Sequence, residues 1–278
     1  MGGIMWVASY PKSGNTWVRA FLHNLLRDAR VPADINSLHE FFLGDTDAKW
    51  YQQFTDKPYD QLTKAEQAAL RRQVHTLLTR RSPDTVFVKT HHFLGEDCDV
   101  PLISMDQTVG AIYILRNPLD VVLSVQHHYG MTLDTAIEFM ACNDAHAGGG
   151  GGHVHQVLTS WSNHVRSWTQ TASPWLLVLR YEDLLMNPQK SFGRLVRFLG
   201  IKPPRDRVKR AIKFSSFKVL RAQEDRHGFH ERSDKAEHFF RSGKAGQWKT
   251  VLTSDQVARI VDQQREQMER FGYLPPGY

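Results

Sequence analysis

Short apolar runs alternate with amphipathic stretches along most of the chain. The run Ile4-Met5-Trp6-Val7-Ala8 meets a polar turn and then the amphipathic run Val18 to Leu26. This pattern predicts strand, tight turn, helix. Thr85 to Lys89, Val109 to Leu115 and Trp175 to Leu179 predict three further strands. Helices are predicted between them. Thr63-x-x-Glu66 forms a capping box and opens a helix to about Arg80, with Leu70, Val74, Leu77 and Leu78 on one face. Pro118 suits a first helical turn, and the helix it starts carries Asp120, Val121, Val122, Ser124 and Val125. Leu133 to Met140 continues as helix. Val157, Trp161, Val165 and Trp168 recur at helical spacing as core positions. Pro188 to Leu199 is a helix stopped by Gly200 and Pro203, and Arg205 to Phe214 is basic and partly helical. Thr253-x-x-Gln256 opens the last helix, with Val257, Ile260, Val261 and Met268 inward and Gly272 as terminator. Two stretches, 31–62 and 223–246, lack a clean period.

Strands alternating with helices predict an α/β fold: a central parallel sheet flanked by helices. No repeat and no linker interrupts residues 1–278, so a single domain is expected. The strand ends share a feature. They run into Lys12, Lys89, Arg116 and Arg180. In open α/β sheets the ligand sits outside the carboxyl ends of the strands. Cations there point to a polyanionic ligand.

Composition changes this picture little. With 278 residues, 41% hydrophobic and 23% charged, the chain is globular. The net charge of +6 is spread along the chain with no long basic run, so nucleic-acid binding is not indicated. Two cysteines, Cys98 and Cys142, have no metal spacing and fit a reducing compartment. No signal peptide and no apolar run of about 20 residues is present. The first strand starts almost at Met1 and leaves no room for a membrane stem. A cytoplasmic protein without membrane contact is expected. Gly148 to Gly152 is a run of five glycines, read as either a mobile lid or a surface insertion.

The turn Ser9-Tyr10-Pro11-Lys12-Ser13-Gly14-Asn15-Thr16-Trp17 carries the chemistry. Helix-start N–H groups attract anions, Lys12 adds a charge, and Ser13 and Thr16 add hydroxyl donors. Thr16 is expected to cap the helix. Lysine precedes the glycine, so this is not the nucleotide triphosphate loop G-x-x-x-x-G-K-[ST]. A plain helix start with a chance lysine is the alternative. Tyr10 to Trp17 resembles the 5′-phosphosulfate loop of sulfotransferases that use 3′-phosphoadenosine 5′-phosphosulfate (PAPS), with Asn15 where many members have Thr. The resemblance implies that Lys12, Ser13, Gly14, Asn15, Thr16 and Trp17 bind this cosubstrate.

Further segments extend the resemblance over residues 9–248. Arg116-Asn117-Pro118 to Ser124 is similar to the family's 3′-phosphate motif, which implies that Arg116 and Ser124 bind that phosphate. Arginine suits the task because its planar fork meets phosphate oxygens in pairs. Tyr181-Glu182-Asp183-Leu184 resembles the segment whose tyrosine meets adenine. Ser215-Ser216-Phe217 resembles a segment beside the nucleotide, implicating Ser215 and Phe217. Arg241 to Trp248 resembles the loop that closes over the 3′-phosphate, implicating Arg241, Ser242 and Gly243. Ser242 replaces the usual lysine there, and Lys244 is the candidate substitute. Tyr181 and Phe217 also fit as packing residues. Lys89-Thr90-His91 is similar to the family's K-T-H, whose histidine is catalytic.

The reaction implied is sulfuryl transfer from PAPS to a hydroxyl by in-line displacement, with Lys12 on the leaving group and His91 as general base. His92 competes with His91, and neighbours on a strand point oppositely. The pairs His153-x-His155 and His227-x-x-His230 lack companion ligands, so no metal is expected. Two rivals remain: a nucleotide kinase with a related phosphate loop, and a non-catalytic nucleotide-binding module. The acceptor is expected to be a hydroxyl-bearing small molecule, its pocket drawn from 31–62, 92–107 and 127–155. The family's dimer motif K-x-x-x-T-V-x-x-x-E matches Lys249 and Thr253 but not Ser254 and Ala258, leaving oligomeric state open.

Overall fold

A computed structural model describes residues 2–278. Its main sheet has five strands: β1 (Ile4–Ser9), β2 (Phe42–Gly44), β3 (Val86–Thr90), β4 (Thr108–Leu115) and β5 (Leu176–Arg180). Their spatial order is β2-β3-β1-β4-β5. β1 runs parallel to β3 with Ile4 opposite Val86 and Ala8 opposite Thr90, and β2 runs parallel to β3 with Phe42 opposite Phe87. Together with the helices interleaved along the chain, this is the α/β class the sequence predicts. A parallel sheet buries both faces, which is why β1 is apolar from Ile4 to Ala8 and all six of its residues, Ser9 included, are buried.

The chain forms two compact units, each from three separated stretches. The first holds residues 1–10, 42–113 and 139–178, and the second holds 11–41, 114–138 and 179–278. In the first unit, Trp6 is fully buried and its indole N–H donates to the Thr108 hydroxyl at 2.8 Å. Burying side chains such as Ile4 and Val7 contributes about 1.5–3 kcal/mol each. Helix α2 (Lys64–Thr79) starts at the expected Thr63/Glu66 capping box. Its buried residues are Gln67, Ala68, Arg71, Val74, His75, Leu78 and Thr79, whereas the expected Leu70 and Leu77 are only half-buried. The polar members of that face find long-range partners, as His75 does in Ser104 at 2.8 Å.

Other expectations are corrected. Residues 31–62 contain β2 and short helical turns. β2 escapes detection because it has three residues and ends in glycine. Val157 belongs to a two-residue strand pairing Val157 with His146, not to the helix that starts at Trp161. The stretch 223–246 begins inside a helix, Phe217–His227. Thr16 does not cap α1 (Asn15–Arg27). Gly14 is the N-cap, in a left-handed conformation.

The glycine run is anchored at one end. Gly152 N–H donates to the Tyr59 hydroxyl at 3.0 Å, and its carbonyl accepts from Ala48 N–H at 2.9 Å. Cys98 and Cys142 are free and exposed. Among the described residues, no helix is long and apolar enough to cross a membrane.

Candidate active site

In the second unit the loop Pro11 to Gly14 joins the end of β1 to α1. Lys12 has φ +65° and Gly14 φ +107°. The glycine is required twice over, because a Cβ there would stand 2.7 Å from the Tyr181 ring. The N-cap Gly14 has no side chain to cap the first turn of α1, a condition under which helix-start amides can serve an anion. The Ser13 hydroxyl, 1% exposed, and Arg116 Nε are buried polar atoms without a partner.

Arg116 knits the predicted residues together. Its Nη1 donates to the Lys12 carbonyl at 3.0 Å and to the Ser124 hydroxyl at 3.1 Å. Its Nη2 donates to the Lys244 carbonyl at 3.4 Å. The guanidinium carbon lies 4.4 Å from the Tyr181 ring centre, a cation–π contact. Tyr181 in turn meets Trp17 edge-on at 5.6 Å. Burial and nearby Arg116 pull the Arg241 pKa below its ordinary value, opposed by Asp120. Arg116 and Arg241 thus place two cations in one neighbourhood. Lys244 meets Arg116 through its backbone carbonyl.

Phe217 packs where a Cβ on Gly243 would sit, 2.3 Å from its ring, and Gly243 has φ +63°. Lacking a Cβ, Gly243 can approach this ring closely. Ser215 is fully buried and its hydroxyl donates to the Ile212 carbonyl at 3.3 Å. The Lys12 ammonium rests 3.6 Å over the Phe239 ring centre and 3.4 Å from His128 Nδ1.

Three carboxylates pin the segment 228–248. Asp120 accepts from Gly246 N–H at 2.6 Å and Trp248 N–H at 3.2 Å. Glu224 accepts from Phe239 and Phe240 N–H at 2.6 and 2.9 Å. Glu231 pairs with buried Arg19 at 2.6 Å. Asp120 lies inside the Arg116 to Ser124 motif and was in that sense visible. Glu224, Glu231, Arg19, His128 and Phe239 carried no local signal.

His91 and His92 belong to the first unit, and their environments differ. His91 is half-buried, with Nδ1 2.8 Å from the Ser9 carbonyl and 3.2 Å from its hydroxyl. A carbonyl only accepts, so Nδ1 carries the proton and Nε2 is left as the basic atom. The His91 carbonyl accepts from His164 Nε2 at 3.0 Å, and His164 Nδ1 accepts from the Tyr113 hydroxyl at 2.9 Å. Burial lowers the His164 pKa to about 4, so that ring is a neutral strut. His92 is 1% exposed, with Nδ1 accepting from Val157 N–H at 3.1 Å and its carbonyl accepting from Trp168 at 3.0 Å. Burial drives its pKa well down. His92 is thus spent on structure.

Of the clustered histidines, His153 lies 3.3 Å from Asp47 and the His155 ring packs tilted against His146 with centroids 4.1 Å apart. Among the described residues, no group of three or more His, Cys, Asp or Glu is placed to hold a metal ion.

Comparison with known proteins places the chain in a family. The sulfotransferase domain model matches residues 4–272. The dog (Canis lupus familiaris) Sulfotransferase 1A1 is 26% identical over 96% of this chain and 83% of its own. Cytosolic sulfotransferase 16 of Arabidopsis thaliana is 26% identical over 96% of this chain and 77% of its own. The crystal structure of retinol dehydratase, in complex with androsterone and the inactive cofactor PAP, has the same fold. Its TM-score is 0.67 at 22% identity, covering 99% of this chain and 83% of that one. With a family model spanning nearly its whole length, the chain belongs to the sulfotransferase domain family.

Proposed function

We propose that this chain transfers a sulfuryl group from PAPS to the hydroxyl of a small-molecule acceptor. The observation that carries the reading is Arg116. Its buried guanidinium joins the phosphate loop, Ser124, Tyr181 and the closing segment, and still has an unpartnered Nε. Together with the unpartnered Ser13 hydroxyl, it fits a nucleotide bearing phosphate groups at two ends. The PAP in a structural neighbour supports the same choice.

When bound, PAPS supplies the sulfuryl group, and the protein's part is positioning and charge. Arg116 and Ser124 hold the 3′-phosphate, with Arg241, Ser242 and Gly243 closing over it. Lys12, Ser13, Gly14, Asn15 and Thr16 hold the 5′ end. Trp17, Tyr181, Ser215 and Phe217 surround the base. Lys12 stabilises the negative charge that grows on the departing oxygen. Its present contact with Phe239 costs only about 0.5–1 kcal/mol to break at an accessible site. His91 Nε2 takes the acceptor's proton while the Ser9 carbonyl holds Nδ1–H. Ser9, which holds His91, precedes Lys12 in the sequence by Tyr10 and Pro11.

The two units act as one catalytic domain, since each is built from three separated stretches and neither ends at a single linker. The small molecule androsterone, bound by a structural neighbour, supports a hydroxyl-bearing small acceptor. Free Cys98 and Cys142 fit a cytoplasmic location. An acceptor screen with sulfur-labelled PAPS tests the activity. A companion binding assay compares 3′,5′-ADP with ATP–Mg²⁺. Preference for ATP–Mg²⁺ with no label transfer would replace this reading with the kinase.

A further inference from the structure

Arg19 lies one turn beyond the phosphate loop on α1 and is 2% exposed. Its Nε donates to Asn15 Oδ1 at 2.8 Å, and its Nη2 donates to the Thr16 hydroxyl at 3.0 Å. Glu231 grips the other edge, accepting from Nη1 at 2.8 Å and from Nη2 at 2.6 Å. An arginine buried this deeply is held in one orientation by a two-point carboxylate clamp. It therefore fixes whatever it donates to.

What it fixes is the Thr16 hydroxyl. A hydroxyl has one hydrogen to give and lone pairs to receive with. Because Arg19 fills a lone pair, the Thr16 hydrogen must point elsewhere. Its acceptor here is Glu231 Oε2 at 3.5 Å, well beyond the 2.7–2.8 Å at which O–H···O bonds cluster. That contact is easily exchanged for a closer anionic oxygen. Glu231 also neutralises the arginine, so Arg19 acts through Thr16 and does not itself draw the anion.

We propose that Arg19, clamped by Glu231, is a positioning residue that presents the Thr16 hydroxyl as a hydrogen-bond donor to the 5′-phosphate end of the nucleotide. The Asn15 that departs from the family's usual threonine is explained by the same arrangement, because its side-chain oxygen accepts from Arg19. The inference rests on Thr16 contacting the nucleotide.

The test is calorimetric binding of 3′,5′-ADP, 5′-AMP and 3′-AMP. The proteins are the wild type, Arg19→Gln, Arg19→Lys, Thr16→Val and the Arg19→Gln/Thr16→Val double variant. Arg19→Lys keeps the charge opposite Glu231 and guards against loss of folding in Arg19→Gln, with thermal unfolding followed throughout. Each Arg19 variant should weaken the two 5′-phosphorylated nucleotides by about tenfold, the scale of one hydrogen bond, and leave 3′-AMP unchanged. In the Thr16→Val background the Arg19 effect should vanish. An equal loss for 3′-AMP, or the same loss in both backgrounds, overturns the positioning role while Thr16 keeps its contact. A Thr16→Val protein that binds 3′,5′-ADP normally removes the Thr16 contact itself, and the inference with it.

Discussion

Replacing Arg116 by alanine should abolish the enzyme's preference for 3′,5′-ADP over 5′-AMP. The size of that preference follows from counting donors. A guanidinium carries five N–H groups. Three are already used, two from Nη1 to Ser124 and the Lys12 carbonyl and one from Nη2 to the Lys244 carbonyl. That leaves two, the unpartnered Nε–H and the second hydrogen of Nη2. Each charge-assisted bond to phosphate contributes about 1.5–3 kcal/mol, so two give about 3–6 kcal/mol. Wild-type protein should therefore prefer 3′,5′-ADP by roughly 10²–10⁴-fold, at about 1.4 kcal/mol per factor of ten. Arg116→Ala also frees the Lys12 and Lys244 carbonyls, so 5′-AMP should weaken somewhat too. The quantity to read is the ratio of the two dissociation constants by titration calorimetry. It should collapse to within a few fold in the variant. Equal affinities in the wild type, or a ratio that survives Arg116→Ala, would refute the assignment of Arg116 to the 3′-phosphate.

Lys12→Ala should lower kcat by roughly 10²–10³, the scale for one lost transition-state donor. A raised KM for PAPS with unchanged kcat would instead assign Lys12 to ground-state binding. His91→Ala should keep its affinity for 3′,5′-ADP while turnover falls about 10²–10⁴-fold. The loss should be larger with alkyl alcohols than with acidic phenols. His92→Ala should lower the unfolding temperature, because it strips the bond to Val157 N–H. A stable but inactive His92→Ala beside an active His91→Ala reverses the two roles.

The strands that carry the site were legible because a sheet buried on both faces demands uninterrupted apolar runs. The cations at their ends were legible for the same reason, standing out against those runs. Pro118 and the two capping boxes were readable because they act within one helical turn. Interactions that depend on distant partners were not. Asp120 holds Gly246 and Trp248 across more than 120 residues, and Glu231 finds Arg19 across 212. Polar residues on a buried helix face mislead a pattern search in a related way. Arg71 and His75 lie outside the apolar set Leu70, Val74, Leu77 and Leu78, yet they are 2% and 0% exposed. β2 was too short for its period to register, although it forms an edge of the sheet.

Asp45, directly after β2, shows how much such hidden polar residues matter. It is 2% exposed, and neither carboxylate oxygen has a well-formed hydrogen bond. Burial raises its pKa from 3.8 to about 7, opposed only in part by the Thr90 hydroxyl, Lys89 and Arg71. An acid whose folded pKa is raised binds its proton more tightly folded than unfolded. The contribution of Asp45 to folding stability is therefore fully present below about pH 4 and is lost progressively as pH rises to about 7. At about 1.36 kcal/mol per pH unit, the loss is bounded near 4 kcal/mol. Buried His75 and His92 act in the opposite sense. Burial lowers both pKa values, His75 to about 3, so they cost stability as pH falls below the ordinary 6.5. Subtracting a matched variant isolates Asp45. Asp45→Asn keeps the shape and stays neutral, so it should match the wild type near pH 4 and exceed it increasingly as pH rises to 8. Urea unfolding at four pH values between 4.5 and 8 reads the difference. Parallel stability profiles for the two proteins would mean that Asp45 ionises normally in the folded chain.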